Sequence, residues 1–250
     1  AKRCQRLGRG FDSLHSLHRV LTVRIINPKK IEFFLKNLFG LSDSYLLKKR
    51  ANRYLRKNTE KEIRILKQLV DPNKASIDIG VYRGVYSFFL TELSEYVYAF
   101  EANPLICEKI KRSFKNKKNI TIENIALSSS KGTTDLRIPI RDINAEYDFE
   151  QKYRLGTATI HEVNNLENKK FETIRNVNKL PLDDYTFDYP VGFIKIDVEG
   201  HELDVIKGGK KLILLNMPIM LIEIEERHSG IRPSDAINEI EKLGYSCFIV

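Results

Sequence analysis

From Ala75 onward the chain alternates short apolar runs with longer stretches in which apolar residues recur every three or four positions. The runs Ala75–Ile79, Tyr96–Phe100, Ile120–Ile122, Phe193–Val198 and Ile219–Ile224 have the length of strands buried on both faces, and the stretches between them read as amphipathic helices. That alternation predicts an α/β doubly wound domain over residues 71–250, a mostly parallel sheet with helices on both faces. Upstream, residues 11–70 read as helical segments. Ile31, Phe34, Leu35 and Leu38 fall at helical spacing between Pro28, which can open a helix, and Gly40, which can close one. Glu60 to Val70 repeats the pattern through Ile63, Leu66 and Val70 and stops at Asp71-Pro72.

Between Thr133 and Asp188 the regularity weakens to two strand-like pieces, Asp135–Ile140 and Phe171–Val177, separated by polar spacers. A connection this long between two sheet strands is expected to serve function, and substrate contacts are the natural use. The last apolar run, Tyr245–Val250, predicts a strand, with a further edge strand expected beyond it. There is no internal repeat and no low-complexity segment.

Composition narrows the class. With 250 residues, 42% hydrophobic and 30% charged, the chain reads as soluble and globular. Its longest apolar stretch, Leu212 to Ile222, is interrupted by Asn216 and Pro218 and falls short of the ~20 residues a bilayer crossing needs. Cys4, Cys107 and Cys247 are odd in number, far apart and match no ligand spacing, so a reducing, cytoplasmic setting is expected and no secretory signal is evident. The net charge of +9 is unevenly spread. Residues 1–70 carry 18 Lys and Arg against 5 Asp and Glu, a net of +13, whereas residues 71–250 carry 24 against 28, a net of −4. A cationic N-terminal region suits nucleic acid, anionic lipid headgroups or an acidic partner, and equally a solvated helical face.

The segment Ser76 to Ser87 carries the first concentration of chemistry. An apolar strand delivers Asp78 at its carboxyl end, and Gly80 and Gly84 follow where a loop must let a ligand approach the backbone before a helix begins near Val85. A dinucleotide fold wants three glycines, G-x-G-x-x-G, ahead of a helix that receives a pyrophosphate. Here the pattern is D-x-G-x-x-x-G, and a carboxylate in that place repels a polyanion while suiting a cationic or hydroxylated ligand. It favours S-adenosylmethionine over NAD. Glu101 ends the next strand, where a carboxylate can accept hydrogen bonds from both ribose hydroxyls of either nucleoside. Asn124 and Ala126 lie where the following strand would end, beside an adenine or in an ordinary turn.

The second concentration is Phe193 to Glu202, whose Asp197, Glu199 and His201 would face the same crevice. Lys195 is unusual in a strand buried on both faces and points to the same side as Asp197. An ion pair with Asp197, or with Glu223 of the next strand, accounts for it better than a catalytic role.

These residues carry a family resemblance. Phe193 to Glu202 followed by Val205-Ile206-Lys207-Gly208-Gly209, together with Asp78–Gly84, Phe100–Pro104, Asn124–Ser129 and Leu182-Asp183-Asp184, resembles the FkbM family of S-adenosylmethionine-dependent methyltransferases over roughly residues 75–225. The resemblance implies a class I, Rossmann-like methyltransferase domain at 71–250 behind a basic helical extension at 1–70. It also implies bound S-adenosylmethionine and O-methylation of a sugar, glycan or secondary-metabolite hydroxyl. Candidate cofactor residues are Asp78, Gly80, Tyr82, Gly84, Ser87, Glu101, Asn103, Asn124 and Ala126; candidate catalytic residues are His201, Asp197 and Glu199. His201 has the intrinsic pKa best suited to removing a hydroxyl proton, and Asp197 could orient substrate or the cofactor's amino group. The chain departs from the family at Val81-Tyr82-Arg83, where small or polar residues are more usual, and residues 1–70 match no known module.

No spacing has a metal signature, so no metal ligand is assigned. Asp197, Glu199, Glu223 and His201 leave a divalent ion as a lesser reading, while His15, His18, His161 and His228 are scattered and read as surface or packing residues. Two alternatives of other classes stand beside methylation of a small molecule. One is an RNA methyltransferase that uses the basic first 70 residues to hold phosphate; the other is a non-catalytic interaction protein that kept the fold. A lid, a dimer contact or a peripheral membrane anchor through Phe33, Phe34 and Phe39 is a further use open to the extension, although packing on the domain is the better expectation.

Overall fold

The computed structural model describes residues 42–141, 152–161 and 170–249. The helix expected between Pro28 and Gly40, the aromatic cluster Phe33, Phe34 and Phe39, Cys4, His15, His18 and the side chain of His228 lie outside the described residues. Among the described residues there are eight strands: β1 (Ala75–Ile79), β2 (Tyr96–Phe100), β3 (Ile120–Glu123), β4 (Ala126–Leu127), β5 (Gly132–Pro139), β6 (Phe171–Leu180), β7 (Val191–Ile196) and β8 (Ile219–Ile222). The helices are α1 (Asp43–Lys57), α2 (Leu66–Leu69), α3 (Val85–Leu93), α4 (Pro104–Phe114), α5 (Glu202–Gly208), α6 (Lys210–Asn216), α7 (Glu226–Ser229) and α8 (Pro233–Glu241).

The main sheet has the order β3-β2-β1-β7-β8, and every neighbouring pair is parallel. This is the α/β doubly wound arrangement the apolar runs predict. β1 is buried at all five positions, because a parallel strand covered on both faces has no solvent side. From β1 the chain winds outward to β2 and β3, then returns to the other side of β1 for β7 and β8. The strand order therefore reverses between β1 and β7, and the loops leaving those two strands diverge to open a crevice at their carboxyl ends.

A second, three-stranded sheet with the order β4-β6-β5 is built from the long connection between β3 and β7. β5 and β6 are antiparallel, and Leu136, Ile138, Tyr153, Val177 and Ala126 form its own small core. The strand-like pieces expected at Asp135–Ile140 and Phe171–Val177 are thus real and longer than their apolar stretches.

Helix α1 belongs to the same packed body. Leu46, Leu47 and Ala51 are buried, and Leu47 joins Val81, Ile106, Ile110 and Phe114. Ser44 Oγ donates to the Ser113 carbonyl at 2.6 Å, and Arg83 Nη1 donates to Tyr54 Oη at 3.0 Å. The stretch of the basic region from Asp43 onward packs against α4 and holds the loop after β1.

Four local expectations change, the smallest being that β8 ends at Ile222 rather than Ile224, because its partner β7 ends at Ile196. Glu60–Val70 is not one helix but a 3-10 turn at Lys61–Arg64 followed by the single turn α2; Ile63 and Leu66 are buried as their spacing requires, but from separate turns. β7 runs over Val191–Ile196 rather than Phe193–Val198. Its partner β1 ends at Ile79, where Asp197 N–H makes the last bond to the Ile79 carbonyl at 3.0 Å and Gly80 turns away. Residues 245–249 form no strand: Phe248 and Ile249 are 87% and 94% exposed, and an apolar run without a neighbouring ladder does not become one. No helix among the described residues is long and apolar enough to cross a membrane.

Candidate functional site

The crevice is built from backbone upward. Gly80 follows β1 with φ +83°, and its N–H donates to the Phe100 carbonyl at 3.0 Å. A Cβ at this position would lie 1.8 Å from the carbonyl oxygen of Asp197, so the turn after β1 and the end of β7 touch through bare backbone. Two residues on, Tyr82 also adopts a left-handed backbone, φ 46°, which turns its N–H toward Glu101.

Glu101 is the most fully constrained side chain in the crevice. Its Oε2 accepts from Tyr82 N–H at 2.9 Å and its Oε1 from Asn103 N–H at 2.9 Å. Asn124 Nδ2 braces the same loop by donating to the Glu101 and Ala102 carbonyls at 2.8 and 3.1 Å. The carboxyl is only 8% exposed, and burial pushes its pKa up to about 7 against the pull of the two backbone N–H groups. Each oxygen keeps acceptor capacity beyond its one backbone bond.

Beneath the loop lies a charged cluster. Lys195 Nζ sits 3.0 Å from Asp197 Oδ2 and 4.0 Å from Asp78 Oδ1, above the Tyr86 ring at 4.6 Å. Burial opposes the ammonium charge, but Asp197 and Asp78 together outweigh it and raise the lysine pKa. The expected Lys195–Asp197 pair is present, and Asp78 adds a second partner. Asp78 is fully buried and its Oδ2 accepts from Ser87 Oγ at 2.5 Å, which ties the first turn of α3 to β1.

The loop after β7 is strained where it passes the crevice. Glu199 has φ 54° and Gly200 φ 102°. Left-handed backbone on a non-glycine residue costs about 1–2 kcal/mol and is concentrated at functional sites. Burial, followed by the charges of Asp197, Glu225 and Glu223, pushes the Glu199 carboxyl up to about 8. Thr159 Oγ1 donates to the Glu199 carbonyl at 2.8 Å and so pins this loop to the smaller sheet.

These elements line a narrow cleft with an accessible volume of about 80 Å³. Glu101, Asp197 and Glu199 bring three acidic side chains to one wall, with Gly80, Tyr82 and Ala126 beside them. Asp78, Gly84, Ser87, Asn103 and Asn124 stand behind that wall. Asn103 accepts from Leu105 N–H and Ile106 N–H and caps α4, while Gly84 opens α3 with φ +72°. His201 lies off the wall. Its Nε2 is 2.9 Å from Ser128 Oγ, and burial holds its imidazole below the ordinary range, hence neutral.

The residues that close the far side were not singled out in the sequence. Ile125, Leu127 and Leu136 give an apolar face, and Gly156, Ala158 and Ile160 come from the irregular part of the long connection. Tyr82 spans the two halves: a Cβ on Gly156 would come within 2.9 Å of its Cε1. The unusual Val81-Tyr82-Arg83 sequence thereby finds its reason, since Val81 is buried with Leu47, Tyr82 meets Gly156 and Arg83 is held by Tyr54.

A solved methyltransferase FkbM from Methylobacillus flagellatus KT is 18% identical, with a TM-score of 0.44 over 69% of this chain and 37% of that one. The 23S rRNA methyltransferase ErmE is 17% identical, with a TM-score of 0.24 over 27% of this chain and 33% of that one. The chain thus spans about a third of the length of each of these two solved structures. No curated protein matches its sequence. The sequence model of the methyltransferase FkbM domain matches residues 78–247, from Asp78 in β1 through both acidic strand ends, and the chain belongs to the FkbM methyltransferase family.

Proposed function

We propose that this protein transfers a methyl group from S-adenosylmethionine to a hydroxyl of a sugar, glycan or similar small acceptor. One observation carries the reading: the buried Glu101 carboxylate, oriented by the N–H groups of Tyr82 and Asn103, shares a cleft wall with Asp197 and Glu199. The residues fit the cofactor. Glu101 has free acceptor positions for two ribose hydroxyls, and Ile125, Leu127 and Leu136 suit an adenine face. Three carboxyl groups suit a ligand that carries a sulfonium and an ammonium. When bound, the cofactor supplies a methyl group made electrophilic by its sulfonium.

The protein's work is alignment and proton removal. Asp197 is oriented by Lys195 through Oδ2, and its other oxygen is assigned to hold the cofactor's amino group. Glu199 lines the cleft and ionises near 8, so it is assigned to accept the hydroxyl proton as the oxygen is methylated, a role typically contributing ~10²–10⁴-fold. His201, the base expected from intrinsic pKa, is turned toward Ser128 and is not given that role.

The test pairs calorimetry with labelled methyl transfer. Wild-type protein should bind S-adenosylmethionine and Glu101→Ala should bind it at least about tenfold more weakly. Hydroxylated glycans and small molecules, incubated with labelled cofactor beside an RNA control, should gain one labelled methyl. Absence of cofactor binding, or label entering RNA alone, would overturn the proposal.

A further inference from the structure

His161 lies two residues beyond Thr159 and His201 follows β7, yet their rings lie 5.9 Å apart between centroids at an angle of 59°. Each offers a buried nitrogen with no hydrogen-bond partner, His161 Nε2 and His201 Nδ1. Asp204, in the first turn of α5, brings Oδ2 to 3.7 Å from His201 Nδ1, too far for a hydrogen bond. Its other oxygen accepts from Ser129 Oγ at 2.9 Å, which fixes the carboxylate. On the far side of the imidazole, Ser128 Oγ stands 2.9 Å from His201 Nε2. With the proton on Nε2 and donated to Ser128, the Nδ1 lone pair faces a carboxylate oxygen. Two lone pairs facing each other at this distance repel, and a cation between them turns the repulsion into ligation.

We propose that His161, His201 and Asp204 form a site for one divalent first-row transition ion, with zinc the best match. The three ligand atoms already lie within 4.8 Å of one another. Bonds of about 2.0 Å in a tetrahedron set ligand atoms roughly 3.3 Å apart, so small side-chain rotations suffice to close the site. Two imidazoles and one carboxylate select such an ion over magnesium or calcium, which prefer oxygen. The ion acts as a clip. His161 N–H donates to Thr159 Oγ1 at 3.0 Å, Thr159 holds the Glu199 carbonyl, and Ala158 and Ile160 line the cleft. Metal bound here fastens the smaller sheet to α5 and firms one wall of the cleft.

The test uses the whole chain, stripped with a chelator and titrated with Zn²⁺ and Co²⁺. One equivalent should bind, Co²⁺ should give the visible bands of a tetrahedral nitrogen and oxygen site, and Zn²⁺ should raise the melting temperature. Loss of an outer-shell contact costs about 10–100-fold in metal affinity. Removing a ligand by His161→Gln, or separately by Asp204→Asn, should therefore weaken binding by about 100-fold or more and abolish the Co²⁺ bands. The stripped variants should melt as the stripped wild type does, which shows that they fold. Failure of the wild type to bind, or equal binding by either folded variant, which would put the ion at Cys4, His15 or His18, overturns the proposal.

Discussion

Gly80 and the carbonyl oxygen of Asp197 approach so closely that a single added carbon at residue 80 would stand 1.8 Å from that oxygen. Both partners are backbone, so no side chain can rotate to relieve the contact. Gly80→Ala is expected to push β1 and β7 apart at their carboxyl ends. The left-handed backbone alone adds about 1–2 kcal/mol, and the clash adds to it. Urea unfolding should show a loss above about 2 kcal/mol, and calorimetry should show cofactor binding lost. Wild-type-like stability with full binding would contradict the geometry.

Glu101 makes nucleoside affinity depend on pH. Its carboxyl ionises near 7 in the free protein, and the ionised form is the better acceptor for ribose hydroxyls. Affinity should climb as pH rises through about 7, and Glu101→Gln should flatten the curve. The same shift acts on stability with a definite sign. The folded chain retains a proton that the unfolded chain releases near 4.5, so this group's contribution falls by on the order of 3 kcal/mol between about pH 4.5 and 7 and is level above that. A flat wild-type binding profile from pH 6 to 8 would count against the assignment.

Glu199 sets a second, higher titration. If its carboxylate takes the acceptor's proton, kcat/KM should rise with pH through about 8, the value of the free protein. Glu199→Gln should lower kcat by ~10²–10⁴-fold while cofactor Kd moves only a few-fold. A variant that loses binding and turnover alike would move Glu199 from proton transfer to positioning.

Lys195 holds two carboxylates in place from a site only 5% exposed. Removing one partner of a buried ion pair typically costs about 3–5 kcal/mol, because the other charge remains without compensation. Lys195→Met should show that loss in urea at pH 8 and a smaller one as the pH is lowered, because burial raises the pKa of Asp78 and its protonation removes the uncompensated charge. A change below about 1 kcal/mol throughout would mean that the cluster is not the keystone it is taken for.

Much of this architecture was legible in the chain. The apolar runs that became β1 and β2 fixed where Gly80 and Glu101 would stand, since each residue directly follows the last paired position of its strand. What escaped depended on partners distant in sequence. β7 stops at Ile196 because β1 stops at Ile79, and nothing within Phe193–Val198 announces that limit. Asp78 reads like a ligand carboxylate, but its direction is settled by Ser87 and Lys195. His201 turns toward Ser128 because two consecutive left-handed residues, Glu199 and Gly200, redirect the chain ahead of it. Gly156, Ala158 and Ile160 lie in irregular backbone, where side-chain direction has no period to reveal it.

The smaller sheet gives the cleft two walls of separate origin, one from the parallel strands and one from the excursion between β3 and β7. On the proposed reading, changes in that excursion alter what is accepted while leaving Glu101 and Asp197 untouched, and exchanging this one strip is the direct way to redirect the enzyme.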